Sequence, residues 1–295
     1  MKRPLHELGD PRPYAGGVSV RLLRAGWFRP DAGGFFGVVP KPLWSRLTEA
    51  DERGRLLCRL NLLLIESAGK RVLVETGTGV RMSDKDREIK GVEGGDPAEA
   101  LRAVGEDPDS IDFVVLTHLH YDHAGGMLGR DGAPAFSNAR YVVQRDEVEA
   151  AHGEELRVQG VMQVEQLDAV RAAGQLAEVN GEVELVHGVR VLRTGGHTRG
   201  SQAVLMGVER PGGRAGDPTE RAIFWGDLIP TRWQLPVRWT SAYDDYPIDA
   251  IEVRKDFVAR AAAEGWWCYF THDPGEQPIR IEATERGGYR VVGEG

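Results

Sequence analysis

The chain has 295 residues, 41% of them hydrophobic and 28% charged, enough to bury a substantial core and ordinary for a globular protein. A net charge of −8 argues against a broad nucleic-acid footprint and against docking on anionic membranes. No apolar run approaches the roughly 18–20 residues that a membrane helix needs, and Met1-Lys2-Arg3 opens no apolar leader segment, so a cytoplasmic protein is expected.

Residues 1–16 carry three prolines and no periodicity, and are read as an arm available for a dimer contact. Val18-Ser19-Val20-Arg21-Leu22-Leu23 alternates like a strand, and the aromatic residues Trp27, Phe28, Phe35 and Phe36 follow among glycines and prolines, either as core or as one wall of a pocket. Residues 60–65 and 71–75 flank Ser67-Ala68-Gly69-Lys70 as a hairpin. The polar stretch 80–95 reads as a surface loop, and Asp96 caps a helix over 97–104. Apolar residues 111–116 form a buried strand and 139–143 another. Helical material from about 145 to 174 is read as a cap over whatever site the strand ends carry. Residues 182–186 and 189–192 form a second hairpin, and 203–208 and 222–225 continue the β pattern on either side of an exposed loop at 211–218. A helix over 248–263 precedes closing strands at 266–270, 279–282 and 289–292. Cys58 and Cys268, the two cysteines, each lie in an apolar run and are expected as reduced core thiols. No repeat or linker divides the chain, so 17–295 is read as one domain with the helical insert at about 145–180.

The densest chemistry lies in Thr117-His118-Leu119-His120-Tyr121-Asp122-His123-Ala124-Gly125-Gly126, directly after the strand at 111–116. Three imidazoles and a carboxylate within six residues suit a borderline metal such as zinc, with no thiolate involved. A solvated polar turn is the plain alternative, and it does not account for three of eight histidines falling in H-x-H-x-D-H order. His197, Asp227 and His272 each stand at the end of an apolar strand in the same way. Taken singly they are ordinary turn residues. Strand ends at one edge of a layered fold converge, however, and five imidazoles with two carboxylates exceed one tetrahedral ion and fit two. Asp227 is the natural bridge, since its two oxygens can each face one ion. His6, His152 and His187 have no such setting and are left outside the site, His152 as a helix-surface residue.

These residues resemble the metallo-β-lactamase superfamily over about 17–285. The resemblance implies an α+β four-layer αβ/βα sandwich with a dinuclear site at the edge between its sheets. It implies that His118, His120 and His197 hold one divalent ion and Asp122, His123 and His272 the other, with Asp227 and a hydroxide bridging. Zinc comes first, with iron, cobalt or manganese as alternatives. Residues 36–44, Gly226-Asp227-Leu228-Ile229-Pro230-Thr231 and Thr271-His272-Asp273-Pro274 are similar to the quorum-quenching N-acyl homoserine lactonase branch, its YtnP-like members in particular. Two positions depart from that pattern: Glu75 replaces the usual Asp of the strand-end turn, and Pro230 replaces a Tyr three residues after the bridging Asp.

The activity so implied is opening of a lactone ring, with Asp122 as proton shuttle to the leaving alkoxide. An acyl tail would need an apolar trough, for which Phe28, Phe36, Trp233 and Tyr243 are the aromatic candidates. A phosphotriesterase or other ester hydrolase on the same site is the nearest alternative, and a metal-stabilised binding module without catalysis is a third reading. The partners so implied are a small lactone or ester and a second copy of the chain.

Overall fold

The computed structural model describes residues 10–207 and 220–294, so His6 and the loop expected at 211–218 lie outside the described residues. In the first half of the chain β1 (Arg12–Tyr14) and β2 (Val18–Phe28) lead into two short helices, α1 (Ala32–Phe36) and α2 (Lys41–Trp44). The hairpin of β3 (Cys58–Ser67) and β4 (Lys70–Val74) turns on Ala68 and Gly69, both at positive φ, as a tight two-residue turn matching strand twist requires. Next come α3 (Asp84–Lys90), β5 (Glu93–Gly94), α4 (Pro97–Ala103), β6 (Phe113–Val115), α5 (Tyr121–Ala124) and β7 (Arg140–Gln144). Helices α6 (Arg145–Ala151) and α7 (Val164–Ala172) precede β8 (Leu176–Val179). The second half holds β9 (Glu182–Val186), β10 (Val189–Arg193), β11 (Gln202–Met206) and β12 (Ala222–Phe224). It closes with α8 (Pro247–Glu264), β13 (Trp267–Tyr269), β14 (Ile279–Ala283) and β15 (Tyr289–Glu294).

Among the described residues the strands form two sheets, one in the order β1-β2-β3-β4-β6-β7-β8 with β5 also on β2, the other β15-β14-β13-β12-β11-β10-β9. Side chains alternate faces along each strand, and here both faces are apolar. Val72, Val74 and Val115 of the first sheet meet Val191, Val204 and Phe224 of the second in the inner core. The intervening Leu73 and Val114 turn outward instead, onto Phe36, Leu101 and Leu167 of α1, α4 and α7. Ile223 and Cys268 likewise turn outward beneath Val258 and Ala261 of α8. The result is helices, sheet, sheet, helix: the expected four-layer sandwich.

Several elements differ from the sequence reading. Part of the supposed arm is β1, paired antiparallel to β2, with Tyr14 buried and its hydroxyl 2.8 Å from that of Tyr269. The stretch 80–95 contains α3 and β5; α3 buries no residue, so it has no apolar face to reveal it. Its ends are instead set by the Ser83 cap and by Gly91 in the left-handed region. The helical insert is two helices separated by an irregular segment over 152–163, and β8 was not anticipated. Both cysteines are free and buried, and burial raises the Cys268 thiol to about 12. Among the described residues no helix is long and apolar enough to cross a membrane.

Candidate metal centre

Four turns converge at one edge of the sandwich. The turn after β6 carries His118 and His120 and runs into α5 with Asp122 and His123; those after β10, β12 and β13 carry His197, Asp227 and His272. The two sheets are tied together at this edge: Gln202 donates its backbone N–H to Thr117 O at 2.9 Å and its amide to Leu116 O at 2.7 Å. From β3, the Asn61 amide donates to Phe270 O at 3.0 Å and Asp273 O at 2.9 Å, bracketing His272. Two glycines permit the approach. A Cβ on Gly226, at φ 56°, would stand 2.9 Å from Thr117, and one on Gly196, at φ 88°, would stand 2.7 Å from the Ala250 backbone.

All seven residues named from the sequence are brought together, in groups whose ligand atoms lie within 4.8 Å of one another. His118 Nε2 and His197 Nε2 stand 3.0 Å and 3.1 Å from His120 Nδ1. His272 Nε2 stands 3.1 Å from His123 Nε2 and 3.4 Å from Asp122 Oδ2. Asp227 lies between the groups with one oxygen toward each. Its Oδ1 is 3.4 Å and 3.3 Å from His123 and His272, and its Oδ2 is 3.6 Å from His197. Ligand atoms about 2.1 Å from a tetrahedral ion stand roughly 3.4 Å apart, close to these spacings.

The outward ring nitrogens of His118, His123, His197 and His272 have partners that fix which nitrogen faces inward. His197 Nδ1–H donates to Asp244 Oδ1 at 2.9 Å and His272 Nδ1–H to Arg59 O at 2.9 Å. His123 Nδ1–H donates to Glu75 Oε1 at 3.2 Å, and the Thr117 hydroxyl donates to the same oxygen. That hydroxyl, 3.1 Å from His118 Nδ1, is left to accept from it. Burial, reinforced by neighbouring imidazoles, holds His118 and His120 well below the usual histidine range. Burial acts the same way on His123 and His197, but Asp227 and Glu75 outweigh it at the first, and Asp244 and Asp227 at the second, raising both. Burial would raise Asp227, yet His123 and His272 hold it well below the usual carboxylate range. Asp227 Oδ1 is buried without a hydrogen-bond partner. Nitrogens facing one another, and a carboxylate with an unused oxygen, call for positive charge between them. The donor set fits two divalent ions.

Phe28 and Tyr243 line a cavity of about 1610 Å³ that has His120, Asp122, His197, Asp227 and His272 in its wall. Phe28 also packs edge-on against His272, ring centres 4.7 Å apart. Phe36 and Trp233 do not line it: Phe36 stacks on Trp44 at 5.0 Å, and both belong to the outer core of the first sheet. Their neighbours on α1 and α2 shield them, which no local pattern encodes. The insert contributes Arg157, Val161, Met162 and Val164 to the cavity wall. Met162 forms a β-bridge with His120, and Gln163 N–H donates to Leu119 O at 2.8 Å. His152 caps α6 and lies outside the cavity lining.

Glu147 and Asp244 were not found from the sequence. Glu147, fully buried on α6, accepts from Leu119 N–H at 3.0 Å, Gly200 N–H at 2.9 Å and the Thr198 hydroxyl at 2.7 Å, joining two ligand turns. Burial raises its carboxyl above the usual range despite these donors. One acidic residue among three in α6, Asp146, Glu147 and Glu149, carries no local signal of this role.

Residues 57–272 match the family described as Metallo-beta-lactamase superfamily. An N-acyl homoserine lactonase of Bacillus sp is 32% identical over 178 residues, 58% of this chain and 60% of that protein. The chain thus aligns to less than two thirds of that relative's length. A probable metal-dependent hydrolase from Staphylococcus aureus superposes with a TM-score of 0.85 at 26% identity, covering 95% of this chain and 98% of that one. The structure titled AidC, a dizinc quorum-quenching lactonase, shares the fold with a TM-score of 0.78 at 18% identity, covering 99% of this chain and 98% of that one.

Proposed function

The chain belongs to the metallo-beta-lactamase superfamily, and from that premise we propose that it is a metal-dependent hydrolase that opens lactone rings, N-acyl homoserine lactones first among them. One observation carries the reading: seven ligand residues cluster with Asp227 facing His123 and His272 through one oxygen and His197 through the other, and five of the seven line a cavity large enough for a lactone with an acyl tail. His118, His120 and His197 would hold one divalent ion, zinc by the chemistry of the donors, and Asp122, His123 and His272 the other. When bound, such ions supply a nucleophile at neutral pH and Lewis acidity toward a carbonyl.

The chain's own residues do the rest. Asp122 takes the proton that the attacking water gives up and returns it to the ring oxygen as the C–O bond breaks. Phe28 and Tyr243 flank the substrate, and the insert from Arg157 to Val164 covers it, reducing the water around the reacting carbonyl. Similarity to curated N-acyl homoserine lactonases supports the lactone over other esters.

The test is pH-monitored hydrolysis of a long-chain acyl homoserine lactone, with paraoxon alongside, by wild type and Asp122→Asn at matched metal content. Lactone opening should be fast, and kcat should fall on the order of 10²–10⁴-fold in the variant. Equal rates would remove the shuttle role. Turnover of paraoxon alone would replace the lactonase with a phosphotriesterase, and turnover of neither would withdraw the substrate class.

A further inference from the structure

Helix α8 contributes no ligand, yet its one fully buried arginine reaches two ligand-bearing turns. Arg254 has no exposed surface. Its Nε–H donates to Leu228 O at 2.5 Å, one Nη to Trp239 O at 2.8 Å, and the other to Asp244 Oδ2 at 3.3 Å. Leu228 directly follows Asp227, and Asp244 Oδ1 accepts from His197 Nδ1–H at 2.9 Å. One rigid guanidinium is therefore one bond from the residue after the candidate bridging carboxylate, and one carboxylate away from a candidate ligand imidazole. Those two groups arise from different strands, β12 and β10.

The contact is reinforced along the same face of the helix. Ala250, one turn before Arg254, packs so closely on Gly196 that a Cβ there would meet it at 2.7 Å. The segment entering α8 also donates Asp245 N–H to His197 O at 2.8 Å and Tyr246 N–H to Gly196 O at 2.9 Å. A buried arginine needs a compelling partner set, because desolvating its charge is costly. Three acceptors in fixed directions use the planar fork in a way that the point charge of a lysine cannot reproduce.

Resting on the dinuclear reading above, we propose that Arg254 is a positioning residue: by gripping Leu228 O and Asp244 at once, it sets the separation of Asp227 from His197 and so the affinity of the His118–His120–His197 site for its ion. On that reading Asp227 would serve both ions, but His197 only this one. Loss of Arg254 therefore weakens this site more than the one formed by Asp122, His123 and His272.

The probe is cobalt(II), titrated into metal-free protein and followed by d–d absorption and by competition with a chromophoric chelator. His120→Ala and His272→Ala mark which binding step belongs to which site. Wild type takes two ions. Arg254→Met should lose on the order of 10–100-fold affinity at the His197 site, with a smaller loss at the other, and Arg254→Lys should recover only part of it. Val258→Ala, buried on the same helix, reports what loosening of α8 alone does, and should leave both steps unchanged. Equal losses at the two sites, or an Arg254→Met profile matching that of Val258→Ala, would overturn the proposal. Should Arg254→Met not fold, Asp244→Asn carries the same test, because it keeps the shape and removes the charge that Arg254 and His197 share. Wild type binding fewer than two ions would defeat the dinuclear reading itself, and this inference with it.

Discussion

Glu75 stands at φ 70°, a conformation that costs a side-chain-bearing residue about 1–2 kcal/mol, and it has no exposed surface. Its surroundings over-determine it: its N–H donates to Val115 O at 2.9 Å, and its carboxylate accepts from the Thr117 hydroxyl, Thr117 N–H and His123 Nδ1–H. Through His123 directly, and through Thr117 to His118, one carboxylate orients an imidazole of each candidate site. The departure noted in the sequence thus keeps an anionic acceptor in place with a longer side chain. Glu75→Gln keeps the shape and removes the charge, and should lower metal affinity on the order of 10–100-fold with little change in fold. Chelator competition measures this. Unchanged affinity would mean that Thr117 and the backbone orient the rings unaided.

At the scale of elements, the insert is clipped to itself as well as to the site. His152, at the C-terminal end of α6, places Nδ1 2.8 Å from Val148 O and Nε2 2.9 Å from Asp168 Oδ1 on α7. Only the imidazolium can donate to both. The Val148 carbonyl, and then Asp168, raise its pKa above the usual histidine range, and the ring is partly solvent-exposed. The sign follows: the clip's contribution is complete below the ordinary histidine value and is lost as pH rises through the raised one. Solvent and salt keep that contribution small. Raising the pH from about 6 to about 8 should therefore speed amide exchange in 152–163 beyond its intrinsic rise. His152→Gln should abolish that excess, and an excess persisting in the variant would assign the effect elsewhere. The charged helix α3 makes the complementary point: with no buried side chain it is set by caps alone, so hydrophobic periodicity has nothing to report there.

At the scale of the molecule, the candidate ligands come from both sheets: β6 lies in one, and β10, β12 and β13 in the other. Ions held between them would bind the folded state and not the dispersed strand ends of the unfolded chain. A site filled at 100 times its Kd adds about 2.7 kcal/mol of stability. Stripping the ions with a chelator should lower Tm on the order of 5–10 °C, reversed by added zinc. A Tm indifferent to metal would count against ions bridging the sheets.

The sequence by itself determined the local chemistry and most of the strands. His118, His120, Asp122 and His123 fall within six residues after an apolar strand, so their association needs only a turn. Alternating or continuous apolar runs marked the strands because burial on one face or both writes itself into neighbouring positions. The tertiary structure decided what depends on partners distant in the chain. His197, Asp227 and His272 were legible as strand ends, but only the stacking of two sheets brings their nitrogens and oxygens to within 3.6 Å of a fellow ligand atom. Glu147, Asp244 and Arg254 acquire their roles from contacts across other elements, and nothing in their own segments distinguishes them from ordinary surface charges. Phe28 and Tyr243 reach the cavity while Phe36 and Trp233 are sealed in the core, although all four are aromatic residues among glycines, prolines and turns. The direction a side chain faces there is set by what packs over it, and that information resides in the fold.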